Sequence, residues 1–247
     1  MKEQRAFPYG GVPVYNPQSL SKTEAKAQFH VRQAVYQHLL ELLREDRPSH
    51  VLIIGTRGMG KTTLLQRLRY GVEDDVDLNQ RYLVLAFPEE QYNVNRLHHF
   101  LLNTLDALAD TMEHLNEDRT LAYIDKYVEA IGKASPEEIE EQVPPFLAQI
   151  GQQLGRSFLL LVDNADRLFE TIEDRQQWKL RELLSSRHDL TLFGATTQAS
   201  DGIYGPERAF FEFFQIQRLT PLTLDEVRDL LLRLSESVEE KIGRAHV

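Results

Sequence analysis

The sequence contains no cysteine, which excludes disulfide bridges and thiolate zinc sites. It has no apolar run long enough to cross a bilayer, and its polar start, MKEQRAFPYGG, lacks the apolar stretch of a secretory signal. The expectation is a cytoplasmic chain with no membrane partner. Positive charge is scarce: Lys and Arg total 28 against 38 Asp and Glu, a formal net charge of −10. That balance opposes a phosphate-attracting field over the whole surface, so nucleic acid is not indicated, although a local basic patch or a separate basic domain stays open. No internal repeat, low-complexity tract or clear linker divides the chain. At 247 residues, 42% hydrophobic and 27% charged, it is long enough for one large domain, with or without a small appendage.

Patterning supplies the organisation. Residues 1–20 carry Pro, Gly and Tyr without a sustained period and read as an extended arm. Ser21-x-x-Glu24 is a capping box, expected to open one helix whose apolar face holds Val31, Val35, Leu39 and Leu42. HVLIIG (His50–Gly55) suits a buried parallel strand, and TTLLQRLRYG predicts a helix closed by Gly71. RYLVLAFP (Arg81–Pro88) is a second strand, followed by an amphipathic helix marked by Val94, Leu97, Leu101, Leu105 and Leu108. More helical sequence covers roughly 117–133, and Ser135, Pro136 and Glu138 start another helix. Pro144–Pro145 is expected to interrupt it, and the stretch 109–156 reads as a helical insert decorating the core. SFLLLVD (Ser157–Asp163), LTLFGATT (Leu190–Thr197) and FQIQRL (Phe214–Leu219) are further strands, with a helix at 173–186 between the first two. Thr223-x-x-Glu226 opens a last helix through Leu234. Strands alternating with helices predict an α/β fold, a central parallel sheet covered on both faces.

Four constellations carry chemistry. Gly55-Thr56-Arg57-Gly58-Met59-Gly60-Lys61-Thr62 satisfies G-x-x-x-x-G-K-[ST], with a strand before it and a helix after it. Its glycines let backbone N–H groups turn inward on phosphate, Lys61 reaches the β/γ-phosphates, and the Thr62 hydroxyl ligates Mg²⁺. Thr63 is counted with the loop without a separate role. LLLVD ends in Asp163, which in such a strand holds Mg²⁺ directly or through water. ATP and Mg²⁺ are therefore the expected ligands. The next residue is Asn164, where a water-orienting Glu would be useful. The substitute carboxylates are Glu90 and Glu89 in FPEEQY, ranked ahead of Asp166 on the turn after the strand. GATTQ (194–198) offers Thr196 or Thr197 to sense the γ-phosphate. GPERAFFEFF (205–214) offers Arg208 as a weak candidate for a finger reaching a neighbouring copy's nucleotide, the rival being a surface pair with Glu207 or Glu212. Its phenylalanines, Phe210, Phe211, Phe213 and Phe214, read as core packing. No N-K-x-D run is present, which disfavours a GTPase.

The order of these motifs, continuing into LTPLTLDEVRDLL, resembles the ATPase core of AAA+ proteins and of signal-transduction ATPases with numerous domains. IIGTRGMGKTTLLQRL, AFPEEQYNV, LLLVDNADRLFE and FFEFFQIQRLTPLTLDEV are similar to a bacterial family of large multidomain AAA ATPases, over about residues 20–235. The resemblance implies a P-loop NTPase core of three α/β/α layers at 21–219, with the Asp163 and Thr196 strands near the loop. It also implies the start of a helical lid at 220–241, self-association through the core and effector domains elsewhere. It implies ATP binding, with hydrolysis serving a conformational switch; a DNA loader and a scaffold with little turnover are the alternatives. The final IGRAHV (Ile242–Val247) equals a translated sequencing-adapter run and is read as an adapter scar, the natural protein being expected to continue.

Overall fold

The computed structural model describes residues 20–87, 95–197, 205–232 and 235. Strands β1 (Val51–Ile54), β2 (Tyr82–Ala86), β3 (Ser157–Val162), β4 (Leu190–Thr196) and β5 (Gln215–Arg218) form one sheet in the order β2-β3-β4-β1-β5. Every pairing is parallel, with Ile54 opposite Thr196 and Val162 opposite Gly194. The expected α/β fold is thus present.

The period-2 alternation of side chains divides the core between two layers. Leu52, Ile54, Leu83, Leu85, Phe158, Leu160, Val162 and Leu192 face one core; Val51, Ile53, Tyr82, Val84, Leu159, Leu161, Phe193 and Ala195 face the other. The second face is covered by α2 (Gln33–Arg44), α3 (Lys61–Asp74) and α4 (Val76–Arg81), with α1 (Lys22–Gln28) packed on α3. The first is covered by α5 (Leu97–His114), α6 (Asp118–Ile131), α7 (Pro136–Leu154), α8 (Asp166–Thr171) and α9 (Asp174–Ser186).

Local expectations fail where tertiary packing overrides them. The single helix expected from Ser21 is two. Its capping box forms, but the chain turns at 29–32, where Phe29 packs edge-on against Tyr36 and Arg32 takes a left-handed φ of 63°. Gly71 does not end α3, which runs on to Asp74. Its missing Cβ permits close approach instead: a Cβ there would lie 2.4 Å from the Tyr36 hydroxyl. Each buried leucine contributes about 1.5–3 kcal/mol, so Leu64 and Leu68 outweigh the roughly 1 kcal/mol that a mid-helix glycine costs. Pro144 and Pro145 lie inside an unbroken α7. An interior proline costs about 3 kcal/mol or more, which burial of Val143, Phe146, Leu147 and Ile150 offsets. Lys179 also pairs with Glu140 at 2.5 Å, and Arg187 donates to the Pro144 carbonyl. Ile124, Ile131 and Ile139 join the same cluster as the strands, so 109–156 is a wall of the main core rather than a decoration. Phe210 and Phe214 are buried, as expected. Residues 1–19, and the lid beyond 235, lie outside the described residues.

His50 joins strands across the sheet just before β1. Its Nδ1 accepts from the Leu192 N–H at 3.0 Å, so Nε2 carries the hydrogen and faces the Leu184 carbonyl at 3.3 Å. The ring stacks on Phe213. Burial lowers its pKa from 6.5 to about 4. The unfolded chain therefore binds the proton first, and the neutral ring's stability contribution, complete above pH 6.5, is lost as pH falls toward 4. The loss reaches up to about 3 kcal/mol. Replacing His50 with Gln should make unfolding free energy less pH-dependent across this window in denaturant titrations; parallel pH profiles would contradict the assignment.

Candidate functional site

The phosphate loop joins β1 to α3 at the carboxyl end of the sheet. Gly55 N–H donates to the Thr196 carbonyl at 3.1 Å, and Leu219 N–H donates to the Ile54 carbonyl at 2.7 Å, so β4 and the end of β5 hold its root. Gly58 and Gly60 have φ of 85° and 81°, a left-handed backbone that explains glycine at both positions. Thr56 and Arg57 are exposed, while Met59, Thr62 and Thr63 are half-buried. α3 begins at Lys61, directing the positive end of a 14-residue helix at the loop.

Lys61 is only 7% exposed. Its Nζ donates to the Gly55 carbonyl at 2.7 Å and the Thr56 carbonyl at 3.3 Å, folding the ammonium back over the loop. Burial pulls its pKa down, and the charges of Asp163 and Asp166 push it back up. Beside it, the Thr62 hydroxyl donates to Asp163 Oδ2. Asp163 Oδ1 accepts from the Asn164 N–H at 2.9 Å. Asn164 turns the chain with φ 51°, a conformation asparagine tolerates, and the Ala165 N–H fastens the turn to the Ala195 carbonyl at 2.7 Å.

Asp166 sits at the start of α8, but its oxygens are engaged. Both accept from the Thr197 N–H, at 3.2 and 3.1 Å, and Oδ2 also accepts from the Thr197 hydroxyl at 3.0 Å. It acts as a clamp between the β3 turn and the end of β4. Thr196 is 1% exposed and stands opposite Ile54, the residue before the loop. Lys61, Thr62, Asp163, Asp166, Thr196 and Thr197 thus meet at the ends of β1, β3 and β4. Glu89, Glu90 and Gln198 lie outside the described residues. Arg208 pairs with Asp174 at 3.2 Å, a different partner from the expected Glu207 or Glu212.

Chemically, the crevice offers a lysine and a helix N-terminus to an anion, and a hydroxyl beside a carboxylate to a hard cation. A cavity of about 280 Å³, unannounced by any motif, opens beside Thr62 and Asp163, between α3, β2 and α5. Arg32 was also missed. Its guanidinium reaches the Met59 carbonyl from inside a stretch whose apolar spacing reads as continuous helix.

A family model described as the AAA ATPase domain matches residues 28–194. The chain belongs to this family. It is an ATP-binding P-loop ATPase module. Among solved structures it is similar to the Aeropyrum pernix Orc2 protein in ADPNP–ADP complexes, with 14% identity, TM-score 0.58, and 91% of this chain and 54% of that one covered. It is similar also to the Aeropyrum pernix Orc1 protein in complex with DNA, with 18% identity, TM-score 0.52, and coverage of 91% and 52%. Pyrobaculum aerophilum Cdc6p matches with 15% identity, TM-score 0.51, and coverage of 92% and 52%. These likenesses are of fold, and this AAA ATPase chain spans about half the length of each. No curated protein matches it.

The Asp166 clamp is testable by stability. Asp166→Ala and Thr197→Val should each lower unfolding free energy by about 1–3 kcal/mol, and the double variant should lose less than the sum. Strict additivity in denaturant melts would refute a shared interaction.

Proposed function

We propose that this module uses ATP binding and slow hydrolysis as a conformational switch within a larger signalling or regulatory protein. The observation that carries the reading is the Thr62–Asp163 hydrogen bond, which sets a loop hydroxyl and a strand-end carboxylate at one point beside a buried lysine. Lys61 would exchange the Gly55 and Thr56 carbonyls for β/γ-phosphate oxygens, a swap between oxygen acceptors that leaves the ammonium hydrogen-bonded throughout. Thr62 and Asp163 fit Mg²⁺ as oxygen ligands; when bound, the ion neutralises charge on the phosphoryl oxygens. Loop N–H groups and the α3 terminus orient the phosphates.

Thr196 or Thr197 is the candidate to sense the γ-phosphate; Thr197 would first have to release Asp166, to which both its hydroxyl and its N–H donate. Asn164, next to Asp163, cannot take a proton from water. Asp166 already accepts from the Thr197 N–H and hydroxyl, which ranks Glu90 and then Glu89 ahead of it as base candidates. Arg208 remains a finger candidate for self-association, since an exposed ion pair holds a side chain by only about 0–1 kcal/mol. A DNA-loading role is the rival: the Aeropyrum pernix Orc1 structure named above holds DNA, but a net charge of −10 opposes it.

Lys61→Ala should abolish ATP binding and turnover by equilibrium binding and phosphate release; unchanged turnover would refute the site. Glu90→Gln should bind ATP as the wild type does while hydrolysing it about 10²-fold or more slowly. A wild-type rate would eliminate Glu90, and a wild type without Mg²⁺-dependent phosphate release would favour the scaffold.

A further inference from the structure

Arg32 immediately precedes α2, in the turn that separates it from α1. Its Nε donates to the Met59 carbonyl at 3.1 Å and its Nη2 to the Thr220 carbonyl at 2.9 Å. Met59 lies on the phosphate loop. Thr220 follows Leu219, the residue bonded to Ile54 at the end of β1. Three residues beyond Thr220, Thr223 begins the helical segment 224–232; Glu226 caps it by accepting from the Thr223 N–H at 2.7 Å and the hydroxyl at 3.0 Å. Burial lowers the pKa of the half-buried Arg32 guanidinium and the Glu226 charge opposes that; an arginine stays ionised all the same. One cation therefore touches the phosphate loop and the root of the segment that leaves the sheet.

Two consequences follow from the chemistry. A charge-assisted bond to the Met59 carbonyl polarises the Met59–Gly60 peptide, strengthening the Gly60 N–H as a donor. And two carbonyls from separate segments, one met by Nε and the other by Nη2, require a planar fork, which a lysine ammonium lacks.

We infer that Arg32 is a positioning residue coupling the phosphate loop to segment 224–232, so that phosphate on the loop tightens the root of that segment. The inference rests on the ATP-switch reading above. It adds a particular route by which the loop and the segment sense one another.

The test compares wild type, Arg32→Ala, Arg32→Lys and Lys61→Ala by ATP binding and by amide hydrogen exchange over 219–232, with and without ATP. In the wild type, ATP should slow exchange there. Arg32→Ala should bind ATP about ten-fold more weakly and, at saturating ATP, show no nucleotide-dependent change in exchange. Arg32→Lys should keep affinity within about three-fold yet also lose the exchange response. If Arg32→Ala does not fold cooperatively, the lysine variant decides. An exchange response equal to wild type in either variant would overturn the coupling. If the wild type binds no ATP and matches Lys61→Ala, the ATP reading fails. The nucleotide-free arm then still decides whether the fork holds the segment: faster exchange at 219–223 in both Arg32 variants supports it, and unchanged exchange overturns it.

Discussion

A hydroxyl on the first turn of α3 bonded to a carboxylate at the end of β3 joins residues 101 positions apart. The rest of the site depends on that contact being possible. It requires β1 and β3 to run parallel and to end at the same level, although β4 lies between them. Parallel strands need crossover helices on both faces, and such helices demand strands apolar on both sides. VLII, LLLV and the alternation within LTLFGA meet that demand. The polar residues that break these runs, Asp163 and Thr196, then fall together where the strands stop. In this fold, the chemistry lies where the apolar pattern ends.

The same geometry divides the carboxylates by task. Asp163 has one oxygen on Thr62 and the other on the Asn164 backbone, while its neighbour Asn164 bends the chain through a left-handed turn. That turn swings Asp166 back to clamp Thr197. Under the proposed reading, carboxylates held in such structural bonds fit a site that holds phosphate and turns it over slowly. Slow turnover suits a switch, because the bound state then lasts long enough to be read.

Legibility followed the range of the interactions involved. The loop, Asp163 and the threonine-ended strand were visible in the sequence because strong local signals frame them: a strand, a glycine run, a helix start. Capping boxes at Ser21 and Ser135 formed for the same reason. The errors arose where a partner distant in sequence decided the outcome. Gly71 looks like a helix stop unless Tyr36 is known to press against it. Pro144–Pro145 looks like a break unless the burial of Phe146 and Leu147 is known. Arg32 carries no local signal at all, since its role is defined by carbonyls 27 and 188 positions away.

Stability is distributed unevenly, and that bears on motion. The sheet and its flanking helices share two dense apolar clusters, so rearranging them would expose many large side chains. The segment 224–232 is different: Leu224 is 89% exposed, Leu231 60% and Leu232 53%. Among the described residues, no residue of 224–232 belongs to either core cluster; beyond the buried Leu219, what links its root to the rest is polar: a strand-end hydrogen bond, a guanidinium and a capping carboxylate. Polar links of this kind contribute about 0.5–3 kcal/mol each, small enough for a bound phosphate to offset under the proposed reading. An element held by burial would stay fixed, and one held by nothing would carry no information. Attachment through a few charge-assisted hydrogen bonds lies between those limits, in the range where a ligand can move it.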